Sequence, residues 1–181
     1  MTAITAQEDE IAARYAQDGY AILPAALSAA EVGELRAETL AICRGQRGVV
    51  SGIEPSAAGE PDDVVVRRYA CIHFPHKVSR LMHQMLAHPV VVSALTGVIG
   101  ADVKAMQSML FTKGEGKPDQ AWHQDEFFIP TRDRSLTAAW IALDLINAAI
   151  TMRPGPAAVS TAAAQAVRPS LSRDANRPPA H

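Results

Sequence analysis

The sequence lacks most of what would commit a chain to several common classes. It has two cysteines, Cys43 and Cys71, 28 positions apart and in no CxxC, so neither a disulfide scaffold nor a zinc ribbon can be built from them. They read as buried thiols. Aromatic residues are few, at 5%, and no block of like charge occurs; 17 Lys and Arg against 19 Asp and Glu leave a net charge of −2. That balance offers no basic face for nucleic acid or for an acidic membrane. A long apolar run is missing too. The most apolar stretch, Val90–Val103, contains Ser93, Thr96, two glycines and Asp102, which makes it too short and too polar to span a bilayer. The first ten residues carry three acids and no basic segment ahead of an apolar run. No secretory signal is indicated, and a cytoplasmic location is the expectation.

What is present suits one modest domain or an incomplete piece of one. Of 181 residues 48% are apolar, but 33 are alanine, which adds little burial area. Two S/T-x-x-E capping boxes, Thr5 with Glu8 and Ser28 with Glu31, each predict a helix start, the second helix running to about Arg44. Between them DGYAILP, Asp18–Pro24, reads as a short strand. Gly45–Asp63 is rich in Gly, Pro and Ser and reads as a surface loop. Val64–Phe74, dense in β-branched and aromatic residues, predicts a strand. Val78, Leu81, Met82, Met85 and Leu86 follow helical spacing, with Met82 and Met85 in the core. Pro89 opens a further helix through Val98, with Gly100 as its stop. Val103–Thr112, Trp122–Ile129 and Leu136–Leu143 read as strands, and Gly114–Asp119 as a loop. Helices first and strands after favour an α+β fold with an antiparallel sheet.

The composition changes at Ile146. The last 36 residues hold 10 Ala, 5 Pro, 4 Arg, one acid and no aromatic, and hydrophobic periodicity is lost. The expected division is therefore a partial domain over 1–145 and an Ala/Pro/Arg-rich, disordered tail over 146–181.

The chemistry-bearing stretch is QAWHQDEFFIPTRD, Gln120–Asp133. In a strand, residues i and i+2 share a face, so His123 and Asp125 would present an imidazole and a carboxylate side by side. These are two of the ligand types of a 2-His-1-carboxylate iron site. A bare H-x-D pair is more often a hydrogen-bonded core pair. Here a preceding Trp122, the aromatics Phe127 and Phe128, and a Pro-Thr-Arg turn give it a specific context. His73 and His76 read as hydrogen-bonded strand-end residues, and His83 and His88 as solvated. Arg132, Asp133 and Arg134 form either a contact for an anionic substrate or a solvated, salt-bridged turn.

The chain resembles the phytanoyl-CoA dioxygenase (PhyH-like) family over roughly Tyr15–Asp144. The resemblance rests on DGYAILPAALSAAEVGELR, IHFPHK, MQSMLFTKGEG and AWHQDEFFIPTRDRSLTAAWIALD. It implies N-terminal helices followed by the first half of a double-stranded β-helix, a jelly-roll or cupin-like barrel. It implies Fe(II) as metal, 2-oxoglutarate as cosubstrate and O₂ as oxidant, with hydroxylation of a C–H bond and conversion of 2-oxoglutarate to succinate and CO₂. His123 and Asp125 match the family's first two iron ligands. Trp140 matches a residue lining the 2-oxoglutarate pocket, and Arg67 or Arg68 lies near where a basic cosubstrate contact is expected; Gln107 and Ser108, on the strand before the metal loop, are further candidates to face the cavity. Phe127 and Arg132 are the candidate contacts for a small organic substrate, acyl or acyl-CoA-like among the choices.

The sequence departs from the family pattern after Asp125. The third ligand is a late histidine followed by an arginine; here the only later histidine is His181, and Arg153, Arg168, Arg173 and Arg177 have no β pattern around them. Asn147–Gly155 echoes a family segment of the form NGxLxxxPG. The expectation is a truncated or frame-shifted member with impaired activity. The alternative is a non-catalytic half-barrel or binding module, self-associating or completed by a partner through an uncovered sheet edge.

Overall fold

A computed structural model describes residues 3–50, 54, 56–112, 125–132, 134–143 and 160–165. It is α+β, as expected from the order of patterns. Helix α1 runs Ala3–Asp18, strand β1 Ile22–Pro24 and helix α2 Ala29–Cys43. The box at Ser28 is formed as the spacing predicts: the Ser28 hydroxyl accepts the Glu31 amide at 3.2 Å, and the Glu31 carboxylate accepts the Ser28 amide at 2.7 Å. At the other predicted box α1 has already begun at Ala3, so Thr5 is inside the first turn and is not its cap.

The predicted strand Val64–Phe74 divides. Asp62–Arg68 is helix α3, and only Cys71–His73 is strand β2. Asp62 and Asp63 stand in the first turn of α3 and Arg67 and Arg68 in the last, an order of charge that complements the helix dipole. Val65, fully buried in the core, needs one apolar face only, which a short helix supplies as well as a strand. Arg80–Met85 is α4, capped by the Ser79 hydroxyl on the Met82 amide, and Pro89–Ile99 is α5, ended by Gly100 at φ 95. Arg80–Ile99 is long and apolar enough to cross a membrane by length and composition. In the fold it is two helices, parted at Leu86–His88, where Pro89 starts afresh.

Of the predicted strand Val103–Thr112 only Met109–Phe111, β3, is extended and paired. It pairs antiparallel with β2, Ile72 opposite Leu110. The predicted strand Trp122–Ile129 is not one over its described part: Asp125–Phe128 is a single helical turn, α6. Thr137–Ala142 is β4, as predicted. Ser160–Gln165, inside the segment expected to be disordered, is β5 and lies between β1 and β4, parallel to both. The larger sheet is thus parallel, not antiparallel. Ladder hydrogen bonds belong to the backbone, so an alanine-rich segment joins a sheet without the apolar alternation that a pattern search requires.

The core joins Leu27, Val32, Leu35 and Ile42 with Val65, Tyr69, Ile72, Met82 and Leu110, and Ile141 and Leu143 pack on its edge. Met82 is buried and Met85 packs against it, as the spacing predicts. Both cysteines are free, and burial pushes the Cys43 thiol up to about 11 and raises that of Cys71, so neither offers a thiolate.

The capping box gives a pH-dependent contribution. Bonds from Ser28, then from His88, hold the Glu31 carboxyl at about 2, below its ordinary 4.5. Its stabilisation is therefore present above pH 4.5 and is lost as pH falls toward 2. Thermal melts at pH 7 and pH 3 should show a smaller loss on acidification in Glu31→Gln than in the wild type. Ser28→Ala should cost about 1 kcal/mol at pH 7.

Candidate functional site

The described candidate residues fall on the end of α3, on the strands β3 and β4 with the residues that enter β3, and on the segment from α6 to β4. Trp140, on β4, is half-buried, and its indole stacks on Phe111 of β3 with ring centroids 5.1 Å apart and planes 10° from parallel. This contact joins the small antiparallel pair to the parallel sheet. Phe111 had no role in the sequence reading, because nothing in MLFTK marks which of its apolar residues meets an aromatic on another strand.

Gln107 and Ser108 enter β3. The Gln107 amide donates to the Met109 sulfur at 3.6 Å. Ser108 Oγ meets His76 Nδ1 at 2.6 Å, so His76 is a hydrogen-bonded residue beside a strand end, as read from IHFPHK. Burial, then the nearby Lys77 and His83, lower the His76 pKa, which favours the neutral ring in this contact. His73 is exposed. The same turn holds Phe74 in the left-handed region at φ 56, with the Lys77 ammonium 4.3 Å from its ring centroid. His83 is exposed, as read; His88 is half-buried and its Nε2 lies 3.2 Å from Glu31 Oε1, so the solvated reading does not hold for it.

Arg67 and Arg68 close α3. Arg67 pairs with Asp63 at 3.8 Å and Arg68 with Glu60, so each guanidinium engages a carboxylate of its own segment.

Asp125 is half-buried at the start of α6, and its carbonyl accepts the Ile129 amide at 2.9 Å. The argument that i and i+2 share a strand face does not apply at a helical Asp125. Acids in the first turn suit the helix dipole, and this favours a turn where residue alternation suggests a strand. His123 lies outside the described residues, as do Lys113–Gln124 and residues 144–159. Phe127 is 82% exposed and Phe128 66%, their rings edge to face at 5.2 Å. Arg132 is exposed on the loop between α6 and β4, and Asp133 lies outside the described residues.

Glu126, which sequence reasoning passed over, organises this loop. It accepts the Thr131 amide at 2.5 Å and hydroxyl at 2.7 Å, and the Leu136 amide at 3.2 Å. Its only sequence signal is an acid in the first turn followed five residues later by a threonine.

Among the described residues no group of three His, Cys, Asp or Glu is placed to hold a metal ion. Of the two expected iron ligands they include Asp125 alone, so the described residues do not by themselves fit a three-ligand iron centre.

In comparisons with known proteins, residues 15–155 match the model of the family described as phytanoyl-CoA dioxygenase (PhyH). No curated protein and no solved structure was found to match.

Proposed function

Because the chain belongs to the phytanoyl-CoA dioxygenase family, we propose that it carries a non-haem Fe(II)- and 2-oxoglutarate-dependent oxygenase site for a small organic substrate, and that this site is impaired. The observation that carries the proposal is the extent of the match: it takes in the whole of Gln120–Asp133 and continues through Asn147–Gly155. The family is generally dependent on Fe(II) and 2-oxoglutarate.

In this reading His123 and Asp125 hold the metal, which supplies oxygen activation when bound. The chain's own residues do the rest. Trp140, fixed by its stack on Phe111, forms a flat apolar wall that keeps water from the cosubstrate. Gln107 offers an amide donor from the neighbouring strand, with Arg67 or Arg68 as basic contacts for the cosubstrate. Phe127 gives an acyl chain an apolar surface, and Arg132 gives a carboxylate or phosphate a cationic one. We place β2 and β3 in the first half of a jelly-roll; their antiparallel pairing supports this.

Impairment follows from the ligand set. The two proposed ligands, His123 and Asp125, hold a divalent ion weakly by themselves. The test is to load the purified chain anaerobically with Fe(II) and 2-oxoglutarate, admit oxygen and quantify succinate. The expected result is weakly held iron, bound only while excess metal is present, with no more succinate than heat-denatured chain gives. Repeated turnover would remove the impairment from the proposal. Absence of bound iron, together with a stable oligomer, would favour a non-catalytic half-barrel.

A further inference from the structure

Glu126 follows Asp125 in α6, and its carboxylate turns back over the loop that leads to β4. One oxygen accepts both the amide and the hydroxyl of Thr131, at 2.5 and 2.7 Å; the other accepts the Leu136 amide at 3.2 Å. While donating to Glu126, the Thr131 hydroxyl accepts the Ser135 amide at 3.0 Å. One carboxylate thus takes three donors from the loop. Phe127, Phe128, Pro130, Arg132, Arg134 and Ser135 are exposed, and Arg134 sits at φ 56, a backbone region that side chains other than glycine rarely adopt. Such a conformation persists where the surrounding bonds determine it.

The two ends of the network are the two parts of the candidate site. Glu126 is covalently next to Asp125, and Leu136 is next to Thr137, the first residue of β4, which carries Trp140. Hydrogen bonds to a charged acceptor are about twice as strong as those between neutral groups, so the carboxylate is well suited to this bridge.

We propose that Glu126 is a positioning residue. Its carboxylate clamps the Phe127–Ser135 loop to the start of β4, and so sets Asp125 relative to the Trp140 strand and fixes where Phe127 and Arg132 stand. The clamp is independent of any metal; its role toward Asp125 rests on the oxygenase reading.

Two variants of the full chain test it. Glu126→Ala removes the carboxylate. Thr131→Val removes the hydroxyl bridge while leaving every charge near Asp125 in place, and its similar shape guards against a failure to fold. Limited trypsin digestion reads the loop at Arg132 and Arg134, scaled to cleavage at the exposed Arg14 in α1. Where reclosing is fast, cleavage follows the population of the opened loop, so both variants should be cut roughly tenfold faster at Arg132 and Arg134. Manganese(II) binding, followed by loss of the free-ion paramagnetic resonance signal, reads the site, and Thr131→Val should weaken it about threefold or more. Unchanged cleavage in both variants would overturn the clamp. Faster cleavage with unchanged manganese affinity would overturn the positioning role and leave the oxygenase reading intact. A wild-type chain that takes up no manganese would overturn that reading and the positioning role together, with the cleavage rates still deciding the clamp.

Discussion

Ile72→Ala is expected to lower the free energy of unfolding by about 2–5 kcal/mol, the usual range for truncating a fully buried Ile or Leu. Ile72 is 1% exposed at the centre of β2, opposite Leu110 on β3, and packs in the cluster that joins α2, α3 and α4. The strand pair is three residues long on each side, and backbone bonds from Phe74 to Ser108 and from Thr112 to Ala70 flank it, so Ile72 is its main buried side chain. Removing the side chain leaves a cavity that the short strands cannot fill without shifting. Phe111 ends β3 and carries Trp140, so the same change should loosen the aromatic wall. Urea unfolding measures the effect as a lower midpoint with an unchanged slope. Ile22→Ala on β1, where the side chain is 50% exposed, is the control and should stay within about 0.5 kcal/mol.

The second large effect is expected at His123. His123→Ala should weaken Fe(II) binding by at least about 100-fold, since loss of a mere outer-shell partner of a ligand costs 10–100-fold and His123 is proposed as a ligand itself. With two protein ligands proposed, removal of one leaves a single carboxylate, which holds a divalent ion little better than solvent does. Circular dichroism and melting temperature, measured alongside, separate loss of a ligand from loss of the fold. Equilibrium dialysis against Fe(II) under nitrogen gives the ratio directly. A ratio near one would remove His123 from the site.

Features set by chemistry within one turn were legible in the sequence. The Ser28–Glu31 box, Pro89 at the head of α5 and Gly100 at its end each depend on neighbours a few residues away. The misreadings arose where two periods compete or where partners are distant. Val64–Val66 suits a strand by side-chain type, and flanking Asp and Arg pairs turn it into α3. His123-x-Asp125 suits a strand by alternation, yet at Asp125 acids at a helix start and the Glu126 network hold a turn. No local pattern could show that Ser160–Gln165 pairs between β1 and β4, over a hundred residues from one of its partners. For the site, residue types were legible from the Gln120–Asp133 block, and Trp140 was found on the strand expected for it. The stack on Phe111 and the bridge from Glu126 to Leu136 were not, because each depends on how separated segments meet.

Metal content decides whether this member of the phytanoyl-CoA dioxygenase family has an iron site at His123 and Asp125. The full chain is dialysed to equilibrium against Fe(II) under nitrogen, and bound iron is determined in the presence of free metal beside Asp125→Ala. At saturating Fe(II) about one iron per wild-type chain is expected, and essentially none in the variant. Iron-free wild-type protein, or equal iron in both, would contradict such a site.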